Sequence, residues 1–329
     1  MKALVYQGVK TLSFVDVSDV APQEGEHLIK VEAVGICGSD MHAYLGHDAR
    51  RPAPLILGHE AAGTIQSGPH DGMRVTVNPL VTCKTCSACK AGRENLCPER
   101  QIISMAPREG AFAQYVAMPM SNLVEVPNDV SFTKAALAEP LAVSWHAARL
   151  SLEALHPAME HRALVIGGGA IGLAASLALK AMGVEDVTII EPDAARRAFL
   201  ADLCGQNAVE NTTQSYPLVI DAVGFGATRA SATALTEPGG VIAHVGLGDD
   251  KPGLDVRRAT LQEITFIGTY TYTAQDFRDT SAALFDGRLG PLDWTQTRPL
   301  ADGASAFAEL RAGKVAAPKI ILAPWASSN

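Results

Sequence analysis

The chain has no surplus of positive charge. Its 27 lysines and arginines face 35 aspartates and glutamates, a net charge of -8 over 329 residues. A general nucleic-acid or anionic-membrane surface needs the opposite sign, so neither partner is expected. A small anionic substrate stays open, because local fields can oppose the net charge. The first residues, MKALVYQGVKTLSF, lack the long apolar core and small-residue cleavage site of a secretory signal and read as a strand and turn. Internal repeats and low-complexity linkers are missing. So are long unbroken hydrophobic helices. Residues 163–179, ALVIGGGAIGLAASLAL, carry no charge, but four early glycines argue against a membrane helix. A buried strand, a tight turn and a buried helix fit that run better. Only six cysteines are present, four of them in one short segment. That is no secreted disulfide framework, and a reducing, cytoplasmic setting is expected.

What is there is an ordinary globular composition, 47% apolar and 19% charged, at a length that suggests two domains. Residues 1–135 hold short β-like runs such as HLIKVEAVGICG, GTIQSG, MRVTVNP and FAQYVAMP, separated by Gly, Pro and Asp. From Glu139 the texture changes. AEPLAVSWHAARLSLEAL reads as a helix with Trp145 and His146 on its packed side. The strand ALVIGG, the helix GAIGLAASLALKAMG, the strand VEDVTIIEP and the helix PDAARRAFLADLCG then alternate, and LVIDAVG, GVIAHVGL and ITFIGTY follow as strands. Such alternation implies an α/β fold with a parallel sheet covered on both faces. The tail, FAELRAGKVAAPKIILAP, reads as a helix and a last strand that returns to the first domain.

Two motifs carry chemistry by spacing. Cys83, Cys86, Cys89 and Cys97 form C-x2-C-x2-C-x7-C. Four thiolates close a tetrahedral zinc shell with no position left for substrate, which marks a structural ion. The turn after ALVI, Gly167-Gly168-Gly169-Ala170-Ile171-Gly172, satisfies G-x-G-x-x-G between an apolar strand and an apolar helix. Gly167 allows the tight turn, Gly169 lets backbone N–H groups approach a pyrophosphate, and Gly172 lets helix and strand pack closely. Glu191 stands about twenty residues on, as a dinucleotide fingerprint expects, placed to accept from a ribose 2′-hydroxyl and repel a 2′-phosphate. NAD is therefore expected over NADP. Arg196 either touches the ribose, offsets Glu191 or is a solvated helix charge. Of the remaining cysteines, Cys204 in AFLADLCG reads as a small core residue.

Cys37 in GICGSDMH is different. Ser39, Asp40 and His42 are close by, LILGHEAAG supplies His59 and Glu60, and Ala138-Glu139-Pro140 lies downstream. Thiolate, imidazole and carboxylate are all zinc donors, and an incomplete protein shell leaves a position for substrate or water. Spacing alone leaves this constellation suggestive. Taken with the quartet, AEPLAV, and GGGAIG with Glu191, in this order, it resembles the zinc-dependent medium-chain dehydrogenases over nearly the whole chain. The sorbitol (iditol) and threonine dehydrogenase branch is the nearest.

The resemblance implies a GroES-like β domain over 1–140 and 272–329, with the structural-zinc lobe at about 80–100. It implies a Rossmann NAD-binding domain over 141–271. Cys37 and His59 would be catalytic zinc ligands, with Glu60 a ligand in some states and Glu139 a direct or water-mediated one. Asp40 would orient the His59 ring, and Ser39 and His42 would relay the proton. Two zinc ions per subunit, NAD, an alcohol substrate and a homodimer or homotetramer follow from the same resemblance. The reaction implied is oxidation of a secondary alcohol or polyol to a ketone.

The chain departs from that family in three places. GTIQSGPHDGMRVTVNP is a shortened loop, and ADLCGQNAVENTTQSYPLVIDAVG leaves little room for the helix that usually precedes its last strand. Where the polyol branch often has an arginine–tyrosine pair, this chain has Thr271 and Tyr272. Phe112 and Tyr44 are candidates for pocket walls and equally for core. An amino-alcohol substrate, as in threonine dehydrogenases, is one alternative. A non-catalytic zinc- and dinucleotide-binding protein is another, although such members typically lose a ligand or relay residue and Cys37, Ser39, His59 and Glu139 are all in place. An NADPH quinone reductase on this fold would lack both zinc sites.

Overall fold

A computed structural model describes residues 1–66 and 68–327. Ser67, in the shortened loop, lies outside the described residues. The chain divides into two compact units, one of Met1–Glu139, Thr273–Phe285 and 295–329, the other of Pro140–Tyr272 and Asp286–Trp294. Among the described residues no helix is long and apolar enough to cross a membrane.

The first unit is mostly β. Its main sheet runs in the order Leu123–Glu125, Arg74–Val77, Glu60–Gln66, Glu26–Gly35, Lys319–Ala323, Thr295–Pro299, with Tyr115–Pro119 also paired to Glu26–Gly35. The C-terminal strand Lys319–Ala323 thus lies directly beside the strand that leads to Cys37. Glu26–Gly35 begins with the alternation of a half-buried strand: Ile29 and Val31 point into the core while Lys30 and Glu32 form an ion pair at 2.7 Å outside it. Burying each of those apolar side chains is worth about 1.5–3 kcal/mol. Glu32 is then an extra residue: Val31 faces Gly63 but Ala33 faces Ala62. This bulge ends the alternation, and Ala33, Val34 and Gly35 all become buried. Bulges re-aim a strand, and here the redirected end delivers Cys37.

In the second unit six strands are all parallel, in the order Asn207–Val209, Asp186–Ile190, Arg162–Ile166, Tyr216–Asp221, Thr236–His244, Thr265–Gly268. Numbered along the chain this is 3-2-1-4-5-6, the doubly wound dinucleotide order, whose direction reverses between Arg162–Ile166 and Tyr216–Asp221. Those two strands are almost wholly buried, as strands covered on both faces must be. Trp145 and His146 are buried on the helix Ala138–Ala154. Between Asn207–Val209 and Tyr216–Asp221 there is only irregular chain, so the helix missing from the sequence pattern is also missing from the fold.

The units differ from the sequence reading by one residue at Pro140 and at Tyr272, both in the second unit, and over residues 286–294. Residues 286–294, expected with the first domain, group with the second unit. Leu289, Leu292 and Trp294 are buried there and line a small cavity together with Leu177, Leu203 and Cys204. Apolar side chains in a short irregular segment take whichever surface covers them, and no local pattern reports which one. Burial pushes the Cys204 thiol up to about 11, as suits a packed thiol.

Candidate metal centres and dinucleotide turn

The bulged strand ends at Gly35, which pairs with Glu60 on one side and Ile321 on the other. A Cβ at Gly35 would overlap the Glu60 carboxylate, so this glycine makes the room in which that side chain lies. The short helix Gly38–Tyr44 follows directly and carries Ser39, Asp40 and His42. Asp40 joins the two segments. Its Oδ2 accepts the Cys37 N–H at 3.0 Å, and its Oδ1 accepts the Gly58 N–H at 3.2 Å and stands 3.5 Å from His59 Nδ1. Burial would raise the Asp40 carboxyl, but His59, Arg51 and the Cys37 N–H outweigh it and hold it below the usual carboxylate range. Burial likewise opposes charge on His59, and Asp40 and Cys37 override it, so its pKa lies well above that of a free imidazole.

Cys37, His59 and Glu60 present ligand atoms within 4.8 Å of one another. His59 and Glu60 are buried. Glu60 Oε1 accepts from Lys319 Nζ at 2.6 Å, while Glu60 Oε2 is buried with no hydrogen-bond partner. An orphaned carboxylate oxygen beside a thiol and an imidazole is costly unless a cation completes it. The donor set and the orphan atom fit zinc. Glu139 is buried and close enough to stabilise charge on Lys319, but it is not one of the three mutually close donors. Ser39 Oγ lies 3.5 Å from His59 Nε2. His42 is half-buried with its ring edge-on to His47, and among the described residues no hydrogen bond joins it to Ser39.

Three contributors had no signal in the sequence. Arg51, 3% exposed, donates to the backbone oxygens of Ser39 and Ser104 and to both of their hydroxyls. Ser104 Oγ in turn lies 3.3 Å from His59 Nδ1. Lys319 reaches Glu60 from 259 residues away and also donates to Ile36 O at 3.0 Å. Strand pairing brings Lys319 in, while Arg51 and Ser104 come from irregular chain and meet through the Arg51 hydrogen bonds. Phe112 and Tyr44 belong to the core, packed on Phe307 at ring centroid distances of 6.0 and 5.3 Å.

The cysteine quartet lies on the loop between the paired strands Leu80–Val81 and Gln101–Ile102. All four thiols are free, and their sulfurs lie within 4.8 Å of one another. Cys83 Sγ is 3.5 Å from Cys97 Sγ and 4.0 Å from Cys89 Sγ. Zn–S bonds of about 2.3 Å in a tetrahedron set sulfur–sulfur edges of about 3.8 Å. The spacing therefore fits one ion and is far too long for a disulfide. Hydrogen bonds from the Thr85 and Cys86 backbones bring Cys83 down to about 6, while burial and the Cys86 and Cys97 thiols push Cys89 up to about 12.

In the second unit, Gly167 has φ +98 and a Cβ there would strike Val223. A Cβ at Gly172 would run into Gly167 O, so the helix Ala170–Ala181 packs directly on the turn. Gly169, at the N-cap of that helix, is the exception: a Cβ there would meet nothing within 4 Å. Protein packing does not require that glycine, and the open space at a helix N-terminus fits a pyrophosphate. Glu191 is buried at the end of Asp186–Ile190. Its Oε2 accepts from Gly168 N at 3.0 Å and its Oε1 from Asp193 N at 2.9 Å, so it braces the turn. Arg196 Nη1 stands 3.7 Å from Glu191 Oε2 and its Nε is buried without a partner. Thr271 takes a left-handed φ of +48 and Tyr272 is buried in this unit.

Two family models match the chain. The alcohol dehydrogenase GroES-like domain covers residues 23–128, and the zinc-binding dehydrogenase model covers residues 170–286. The chain is 35% identical over 295 residues to the sorbitol dehydrogenase of Bacillus subtilis (strain 168), a match spanning 83% of this chain and 82% of that protein. It is 32% identical over 280 residues to the sorbitol dehydrogenase of Arabidopsis thaliana, 76% of each chain. In three dimensions it is similar to an alcohol dehydrogenase of Escherichia coli CFT073 complexed with NADH, with a TM-score of 0.88, 25% identity, and coverage of 98% of this chain and 99% of that one.

Proposed function

The chain belongs to the zinc-binding alcohol dehydrogenase family, and from that premise we propose that it oxidises a secondary alcohol, a polyol in particular, to the ketone with NAD. The observation that carries this reading is the trio Cys37, His59 and Glu60, whose donor atoms converge around an unpaired carboxylate oxygen. These three would hold the catalytic zinc, with Glu139 as a direct or water-mediated further group, and the quartet would hold the structural one. When bound, zinc supplies Lewis-acid polarisation of the alcohol oxygen and the nicotinamide accepts the hydride. Asp40 keeps the His59 ring oriented through Nδ1, leaving Nε2 for the metal. Lys319 engages one Glu60 oxygen and leaves the other to the ion. Ser39 Oγ takes the alcohol proton and His42 serves as its outward destination, reached without a direct hydrogen bond between the two. Assembly as a homodimer or homotetramer and a cytoplasmic setting belong to the same proposal.

A screen for NADH formation with zinc-loaded protein tests it, using sugar alcohols, vicinal diols, simple secondary alcohols and threonine. The highest kcat/KM is expected on a polyol. Absence of turnover on every class would leave a non-catalytic dinucleotide- and zinc-binding role, and a best rate on threonine would move the substrate to the amino alcohols.

Coenzyme choice gives a second check. Glu191 would accept from ribose hydroxyls and oppose a 2′-phosphate, so kcat/KM with NAD should exceed that with NADP at least tenfold, about 1.4 kcal/mol. Equal efficiency with both coenzymes would remove the role assigned to Glu191.

A further inference from the structure

We propose that Arg51 is a positioning residue for the proton-transfer step, holding the Ser39 hydroxyl ready to take the alcohol proton and pass its own onward. This rests on the reading of Ser39 as the first proton acceptor.

The guanidinium is almost wholly buried, and all five of its N–H groups find oxygen. Nε donates to Ser104 O at 2.9 Å. Nη1 donates to Ser39 O at 3.2 Å and to Asp48 Oδ2 at 2.8 Å. Nη2 donates to Ser39 Oγ and to Ser104 Oγ, each at 3.4 Å. Among the described residues Asp48 is its only charged hydrogen-bond partner, although its charge also acts on Asp40, and Arg50 already holds Asp48 through contacts of 2.8 and 2.9 Å. Closing this loop therefore does not require a second arginine. A buried guanidinium carries a large desolvation cost, and four of its five N–H groups here are aimed at two serines. Both of those hydroxyls face His59: Ser39 at Nε2, 3.5 Å, and Ser104 at Nδ1, 3.3 Å.

Arginine has no acceptor, so its N–H toward Ser39 Oγ engages one lone pair and the serine proton cannot point at it. One lone pair and the O–H remain, which is what a relay group needs. As the alcohol O–H breaks, Ser39 gains that proton while its own moves to the next acceptor, and the serine ends the step unchanged. The fixed positive charge beside Oγ stabilises negative charge developing there during the exchange. Lysine cannot substitute, because one ammonium does not present the fork that spans two hydroxyls.

The test uses zinc-loaded protein and the best alcohol found with NAD. Arg51→Ala should lower kcat about 10²–10³-fold, the usual cost of removing one preorganised donor. Arg51→Ala should melt below wild type, since it removes a buried ion-pair partner, but folded protein at assay temperature should keep near-wild-type zinc content and NADH affinity by fluorescence titration, and the solvent deuterium isotope effect on kcat should rise. Added guanidinium at low, non-denaturing concentration should restore activity at least tenfold. Arg51→Lys, which keeps charge and most of the packing, should still lose about tenfold. In a Ser39→Ala background, Arg51→Ala should cost little more. Wild-type kcat in Arg51→Lys, loss of zinc in step with activity, or full additivity with Ser39→Ala would overturn the role of Arg51. Near-normal turnover in Ser39→Ala alone would instead overturn the relay reading beneath it.

Discussion

Cys37→Ala should lower kcat by roughly 10³-fold or more, because it removes the soft donor from the site that polarises the alcohol, a contribution of several kcal/mol. The substitution is clean. The Asp40 carboxylate is anchored by the Cys37 backbone N–H, which alanine retains, so the Asp40–His59 contact keeps its support. Cys37 is also only half-buried, and alanine there opens little cavity. NADH binding should be near normal, since the turn that would receive it is built from Gly167, Gly169, Gly172 and Glu191 in the other unit. Zinc content should fall by one ion per chain and not two, because the quartet is untouched. The check is metal analysis, NADH titration and steady-state rates on one preparation. Activity within about tenfold of wild type would mean that Cys37 does not hold the reactive metal.

Wherever a motif is local in the chain, the sequence was a sufficient guide. The quartet is fixed by spacings of two and seven, and the glycine turn by six consecutive residues, so both could be read without the fold. Even the separate purposes of its glycines follow from the strand–turn–helix context, and the open space at Gly169 against the crowding at Gly172 accords with them. The trio Cys37, His59 and Glu60 is intermediate. Its residues are visible, yet their convergence depends on the bulge at Glu32 and on Gly35 pairing with Glu60. Neither has a sequence signature strong enough to stand without a family resemblance. Arg51, Ser104 and Lys319 were illegible. Arg51 and Ser104 sit in irregular segments, where a charge or a hydroxyl is ordinary, and Lys319 opens a strand that reads only as apolar. Residues 286–294 escaped for a related reason: their partners Leu177 and Leu203 lie on remote elements, and burial patterns say that a side chain is covered, not by what.

Lys319→Met should destabilise the metal-free first unit by about 3–5 kcal/mol, the usual consequence of stranding one member of a buried ion pair. Lys319 and Glu60 are 3% and 0% exposed at their side chains and meet at 2.6 Å. Burial alone would drive the lysine to give up its proton, but Glu60, Cys37 and Glu139 overcome that and raise its pKa, so the ammonium keeps its charge. Without the ammonium, Glu60 Oε1 loses its Lys319 partner while Oε2 is already unpaired. Methionine fills most of the vacated volume, so the loss should be electrostatic and not a packing defect. Two comparisons isolate it. Lys319→Met/Glu60→Gln removes both charges and should recover a large part of the deficit, since a buried pair is worth far less as a unit than either half is costly alone. Zinc should also shrink the deficit of the single variant, because a cation held by Cys37 and His59 would stand where Glu60 needs positive charge. The measurement is urea unfolding of wild type, single and double variants, with and without zinc. A deficit that is equal in single and double variants, or that zinc leaves unchanged, would show that Glu60 is not poised between Lys319 and a metal.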